Sequence, residues 1–212
     1  MCPLTDEEKR SLLFIARQSI EVALSRSTAP PTGSFSGDLA ARTGAFVTLH
    51  QRGRLRGCIG RVTTLDPLAT VVAECAVGAA TEDPRFARLE PQDLHELEIE
   101  ISVLSEPCRI AVPEELQPGV HGLLITHGRN RGILLPQVAQ KFKWSRKHFL
   151  EETCRKAGLH PDDWKDPGTR IHVFTAEIFS DADFPALSAP AEQPRAENKT
   201  PAGSSESAAG RR

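Results

Sequence analysis

The chain has 212 residues, of which 39% are hydrophobic and 25% are charged, and its formal net charge is -2 at pH 7. This length allows one sizeable core, and the nearly balanced charge excludes an overall basic field that would collect nucleic acid or anionic lipid. No apolar stretch approaches the roughly 20 residues that span a bilayer, and the first residues lack the pattern of a secretory signal, so we expect a cytoplasmic protein without a membrane span.

The cysteines are odd in number and widely spread: Cys2, Cys58, Cys75, Cys108 and Cys154. Such a set resembles neither a dense disulfide framework nor the close pairs of a zinc site. The sequence therefore predicts reduced thiols, and it points to no metal site and no cofactor.

The first predicted element is a helix from residue 5 to about residue 27. Thr5 and Glu8 stand at capping-box spacing, and apolar residues recur after them with helical periodicity. A proline- and glycine-containing loop follows at residues 29–34.

A β-hairpin is predicted next, with strands at residues 45–49 and 55–59. Asp66 and Pro67 are suited to open a second helix. This helix should end before Asp83, because a residue that precedes proline disfavours helical geometry.

The rest of the chain predicts strands at residues 97–103 and 171–179, a second hairpin at residues 122–135, and a helix between Ser145 and Gly158. The mixed order of hairpins and helices predicts an α+β fold, with an antiparallel sheet flanked by helices. We assign residues 5–183 to one domain and residues 184–212 to a disordered tail, where large apolar residues are almost absent.

Short motifs follow one another over most of the chain: GAFVTL at 44–49, LRGCIG at 55–60, DPRF at 83–86, EIEISVL at 98–104, GVHG at 119–122, LPQVA at 135–139 and KAGL at 156–159. Any one of them is weak, but their order over roughly residues 8–180 resembles the AMMECR domain family, whose prokaryotic members are called AmmeMemoRadiSam system protein A. The resemblance implies an α+β fold of two unequal lobes with a cleft between them. It also implies two partners, a Memo-like protein and a radical SAM enzyme, but no established reaction.

Cys58 is the leading candidate for a reactive group. It lies between Gly57 and Gly60 on a predicted strand, where glycines let a backbone or a ligand approach closely. Arg56 would lie on the same face of an extended strand, and a nearby guanidinium favours the nucleophilic thiolate. The alternative is a small buried cysteine that packs the hairpin.

Other polar residues are candidates for binding and proton transfer. Asp83 and Arg85 flank a proline and would hold a substrate, or would instead form an ion pair or turn that stabilises their loop. Glu100 lies on the polar face of its strand and would act as a general base if that face lines a cleft. His121 could serve Cys58 as a base, although a lone histidine is more often structural.

A basic segment interleaved with aromatic residues is a weaker candidate for binding single-stranded RNA. Its basic residues are Lys141, Lys143, Arg146 and Lys147, and its aromatic residues are Phe142 and Trp144. Its ordinary interpretation is a solvated helix entry with Trp144 packed inward.

The leading hypothesis is an enzyme or enzyme component that uses Cys58 on a small molecule or a modified macromolecule. Substrate would be held by Arg56, Asp83 and Arg85, and protons would be moved by Glu100 or His121. The first alternative is a non-catalytic module that binds the Memo-like or radical SAM partner. The second and weaker alternative is an RNA-binding module.

Overall fold

The computed structural model describes residues 3–25 and 37–184. Cys2, the predicted loop at residues 29–34, the predicted end of the first helix and the tail beyond residue 184 lie outside the described residues. The helices are α1 (Asp6–Ser25), α2 (Leu68–Thr81), α3 (Pro136–Lys141) and α4 (Arg146–Lys156), and the strands are β1 (Ala45–Gln51), β2 (Arg54–Arg61), β3 (Leu97–Leu104), β4 (Cys108–Arg109), β5 (Gly122–His127), β6 (Asn130–Leu134), β7 (Arg170–Phe174) and β8 (Ala176–Ser180). Within the described part of the chain, none of the helices has the length and apolar character needed to cross a membrane.

The strands form two antiparallel sheets. Sheet 1 has the strand order β2-β1-β3-β8, and sheet 2 has the order β4-β7-β5-β6. The predicted α+β class is confirmed, with the strands divided between the two sheets. The two unequal lobes and the cleft between them remain predictions.

Sheet 1 is covered on one face by α1 and α2. The start of α1 is confirmed: the N–H of Thr5 donates to Glu8 Oε2 at 2.9 Å, and the N–H of Glu8 donates to Thr5 Oγ1 at 3.3 Å. The apolar sides of the two helices and of the strands below them form the largest buried cluster, which includes Leu12, Ile20, Val47, Leu49, Val72, Ile99 and Ile101. The opposite face of sheet 1 carries polar residues together with the apolar Phe46.

Sheet 2 has its own core, which it forms with α4. The buried residues of this second cluster include Leu123, Ile125, Phe149, Leu150 and Val173. A third, smaller cluster contains Leu124 and Phe174 of sheet 2, with Phe46 of sheet 1 packed against them. The two sheets therefore meet through apolar contacts.

Two predicted boundaries are wrong. The single strand predicted at residues 171–179 is two strands, because the chain leaves sheet 2 after Phe174 and enters sheet 1 at Ala176, with Thr175 donating its N–H to Ser105 Oγ at 2.9 Å. The start of α2 also differs: Pro67 is the N-cap and no side chain caps the helix. The carboxylate of Asp66 instead accepts a hydrogen bond from the Thr64 hydroxyl at 3.2 Å.

Candidate functional site

Cys58 begins a row of polar residues across sheet 1. Its partner in the β1 register is Thr48, and the partner of Thr48 on β3 is Glu100. Directly opposed residues of antiparallel strands project from the same face. The thiol, the hydroxyl and the carboxylate therefore share the face of sheet 1 that α1 and α2 do not cover.

The two glycines beside Cys58 are required by packing. A Cβ atom at Gly57 would lie 2.0 Å from the carbonyl oxygen of Ala79 on α2, and one at Gly60 would lie 2.2 Å from the ring of Phe46. The close approach predicted at these positions is thus to α2 and to a neighbouring side chain, and it needs no ligand to explain it.

The thiol of Cys58 differs from the buried thiols of the chain. Cys58 is half-buried, and the hydroxyl of Thr48 donates to its Sγ at 3.3 Å. Burial raises the pKa of Cys75 and of Cys154 to about 11 in each case, which makes these two thiols poor nucleophiles. Cys108 is exposed and provides an internal reference for a freely accessible thiol.

Asp83 lies beside the backbone of Cys58 and is almost fully buried, with 2% of its side chain exposed. The N–H of Cys58 donates to Asp83 Oδ2 at 2.8 Å, and Arg85 donates from Nε to Oδ1 at 2.9 Å and from Nη2 to Oδ2 at 2.6 Å. The Arg85 guanidinium holds the pKa of the Asp83 carboxyl far below its usual range. The hydrogen bonds of the Asp83 carboxylate are thus made with protein groups. We therefore assign Asp83 the role of positioning Arg85 beside the backbone of Cys58.

Arg85 is the arginine that the structure brings to Cys58. Its Nη2 donates to the Cys58 carbonyl oxygen at 3.3 Å, while 55% of its side chain remains exposed. The hydrogen bonds to Asp83 fix the orientation of the guanidinium. An exposed but immobilised cation of this kind can bind an anionic group next to the thiol.

Arg56 does not lie beside the thiol as the sequence predicted. The strand register shifts between Leu49 and His50, so that Gly57 faces Leu49 and Leu55 faces His50, leaving Arg56 as an extra residue in β2. Such a bulge breaks the two-residue alternation of a strand. The guanidinium of Arg56 instead donates to the carbonyl oxygens of Ala87 and Arg88, at 2.5 and 3.3 Å.

The two predicted proton carriers have different surroundings. Glu100 is half-buried in the row with Thr48 and Cys58, whereas Glu98, two residues away on β3, is exposed. His121 lies just before β5, where its Nδ1 accepts the N–H of Gln117 at 3.2 Å. Within the described residues, no hydrogen bond joins His121 to Cys58, and the predicted pairing of the two stays a prediction.

Two further residues near this face were not identified from the sequence. Lys156, the last residue of α4, is exposed overall. Partial desolvation of its ammonium group lowers its pKa, an effect that Cys58 opposes and the charge of Arg85 reinforces. Gln137 on α3 donates from Nε2 to Ser102 Oγ at 3.3 Å, and its Oε1 is buried with no hydrogen-bond partner among the described residues. Both lie in the LPQVA and KAGL motifs, which were the available signal, but no local spacing relates them to Cys58.

The basic aromatic segment runs from the last residue of α3 into the first turn of α4. Phe142 is 57% exposed, and its ring stacks on Trp144 with the centroids 5.3 Å apart. Trp144 itself packs against the core of sheet 2, as predicted. The segment thus exposes one aromatic ring among its lysines.

Residues 13–179, which include every residue of the Cys58 row, match the AMMECR1 family. A protein of Methanothermobacter thermautotrophicus is 42% identical over 184 residues, which cover 84% of this chain and 96% of that protein. Protein TK0174 of Thermococcus kodakarensis is 40% identical over 193 residues, covering 85% of this chain and 94% of its own length. A solved structure is also similar: the crystal structure of the uncharacterized protein PH0010 from Pyrococcus horikoshii has a TM-score of 0.78 and 36% identity, over 84% of this chain and 93% of that one.

Proposed function

The chain belongs to the AMMECR1 family, and from this premise we propose that it is an enzyme, or a component of one, whose reactive group is Cys58. Family membership assigns no reaction. The observation that supports an enzymatic role is the half-buried thiol itself, which accepts a hydrogen bond from Thr48. Arg85 donates to the carbonyl oxygen of the same residue, and the charge of Lys156 acts on it.

The thiol of Cys58 is the proposed nucleophile, and the thiolate is the form that attacks an electrophile. Arg85 is paired with Asp83, whereas Lys156 forms no ion pair within the described residues and acts on Cys58 as a positive charge. Lys156 suits the role of proton donor, because its lowered pKa brings it closer to neutral pH than an ordinary lysine. In the proposed step the thiolate gives an electron pair to an electrophilic centre, and the leaving group departs with the electrons of the broken bond and a proton from Lys156.

The polar groups around the thiol limit the substrate class. Arg85 is exposed and oriented, and it would bind an anionic group. The unpaired Oε1 of Gln137 would accept a hydrogen bond from an N–H or O–H group of the substrate. A small molecule or modified macromolecule that carries both an anionic group and such a donor fits this arrangement, with Glu100 as a second proton carrier and Asp83 holding Arg85 in place.

We also propose that the protein acts together with a Memo-like protein and a radical SAM enzyme. Support for these partners comes from the family resemblance. Mixing the three purified proteins and measuring their co-elution tests this directly: a stable complex is expected, and separate elution at micromolar concentration would contradict it.

The functional proposal is tested by metabolite retention. Purified wild-type protein is incubated with a cellular metabolite extract, and retained compounds are identified by mass spectrometry alongside Cys58→Ser and the matched control Cys108→Ser. We expect a compound that the wild type and Cys108→Ser retain or chemically change, and that Cys58→Ser neither retains nor changes. The unfolding temperature of Cys58→Ser should equal that of the wild type. Unaltered behaviour of Cys58→Ser would contradict a catalytic thiol and favour a non-catalytic binding module.

A further inference from the structure

A group of basic residues lies on one face of sheet 2 and shares no residue with the set around Cys58. Arg109 on β4 lies opposite His172 on β7. In the next row, Thr126 on β5 lies between Arg170 on β7 and Arg131 on β6. Arg170 and His172 are two residues apart and therefore project from the same side of their strand. We call Arg109, Arg131, Arg170 and His172 the basic face.

The charges of the basic face are not compensated within the described residues. Arg109, Arg131 and Arg170 are all exposed, and none of them forms an ion pair with a carboxylate in this part of the chain. Neighbouring strands lie about 4.8 Å apart, so three guanidinium groups are grouped across four strands. A bound anion would therefore meet guanidinium groups that no carboxylate of the described residues already pairs.

His172 lies among these arginines and has an unpaired nitrogen. Its Nδ1 is buried and has no hydrogen-bond partner among the described residues. Burial lowers the pKa of His172, and the nearby charges of Arg109, Arg170 and Arg131 lower it further. The charged groups that act on the His172 ring are thus all cations, one each from β4, β7 and β6. The remaining strand, β5, places the uncharged Leu124 opposite His172 and the uncharged Thr126 opposite Arg170.

We propose that the basic face binds a small phosphorylated ligand through its phosphate. Arginine is suited to this role because its planar group of donors matches the oxygens of a phosphate. The short side chain of Thr126 lies between Arg170 and Arg131, where it leaves room for the phosphate and offers a hydroxyl donor. The ligand would place its negative charge among all three guanidinium groups.

A small ligand fits this face better than a nucleic acid strand does. Single strands are held by exposed aromatic rings on which bases stack. The ring of Phe174, which shares this side of sheet 2, is buried in the contact with sheet 1 together with Leu124.

The experiment is a calorimetric titration with inorganic pyrophosphate as the probe. We expect saturable binding to the full-length protein, weakened about tenfold or more by Arg131→Gln and by Arg170→Gln, because each removes a charge-assisted hydrogen bond. The matched control is Arg54→Gln: Arg54 is exposed on β2, belongs to neither site, and should leave the affinity unchanged. In an NMR titration of the histidine ring, pyrophosphate should raise the pKa of His172, because the anion offsets the charge of the arginines.

Three results would overturn this inference. The first is the absence of saturable binding, and the second is an equal loss of affinity in Arg54→Gln, which would show non-specific attraction. The third is that oligouridylates of up to about ten nucleotides bind more tightly than pyrophosphate and with an affinity that rises with their length. That result would identify the face as a nucleic acid site. The inference holds or fails independently of the reactivity of Cys58, since the pyrophosphate titration does not involve the thiol.

Discussion

Asp83 organises the candidate site at the scale of single residues. Its buried carboxylate accepts hydrogen bonds from the backbone N–H groups of Cys58 and Arg85 and from two nitrogens of the Arg85 guanidinium. These bonds tie the loop after α2 to β2 and immobilise the exposed cation beside the thiol. Removing the charge of Asp83 should therefore affect both stability and the position of Arg85.

We predict that Asp83→Asn lowers the free energy of unfolding by about 2 kcal/mol, since it weakens several charge-assisted hydrogen bonds of a buried group. The pKa of Asp83 is lowered in the folded protein, so its contribution is fully present above the ordinary carboxyl pKa of 3.8 and is lost as the pH falls below that value. Urea unfolding between pH 7 and pH 3 measures both effects, with the exposed Glu98→Gln as a control. Equal stability of Asp83→Asn and wild type at pH 7 would contradict this role.

The sequence identified the place of the site but not all of its groups. Asp83 and Arg85 lie in one loop that is hydrogen-bonded to Cys58, and Cys58 and Glu100 lie on either side of Thr48 in one row across β2, β1 and β3. Arg56 was placed beside the thiol on the assumption of regular alternation, which the bulge in β2 breaks. A bulge depends on how a strand meets its partner, and the local residue pattern does not reveal it.

At the scale of elements, the position of β2 depends on its contact with α2. Gly57 allows this contact, because any larger residue would collide with the backbone of Ala79. The hairpin, the helices flanking it and the strand at residues 97–103 were predictable in type and approximate position, since each has a clear period. The start of α2 was not, because the expected side-chain cap does not form. The division of the last strand between the two sheets was not, because the apolar pattern continues across Thr175.

Gly57→Ala should therefore be strongly destabilising, by about 3 kcal/mol or more, because the added methyl group would overlap a backbone carbonyl that cannot move freely. Thermal and urea unfolding measure the effect. Gly78→Ala on the facing helix is the matched control, as its methyl group would meet a side-chain methyl of Ile59 at 3.3 Å rather than backbone and should cost much less. Similar losses in the two variants would show that β2 and α2 are not held at the described distance.

At the scale of the whole molecule, the candidate site combines groups from both sheets. Cys58 and Glu100 belong to sheet 1, whereas Lys156 belongs to α4, which packs on sheet 2. The sequence separates Cys58 from Lys156 by almost half of the chain, and no local pattern predicts the distance between them. The family motifs marked both regions without showing that they meet.

The most direct test of the account is the rate at which iodoacetamide alkylates each cysteine of the native protein at pH 7, followed by peptide mass spectrometry. We predict that Cys58 reacts faster than the exposed Cys108, that Cys75 and Cys154 react after unfolding, and that Lys156→Gln slows Cys58 at least about threefold without changing Cys108. Lys147→Gln, an exposed lysine on the same helix, should change neither rate. Labelling of Cys58 as slow as that of the buried thiols, or a rate insensitive to Lys156→Gln, would contradict the claim that a cation-flanked, accessible thiol is the reactive group.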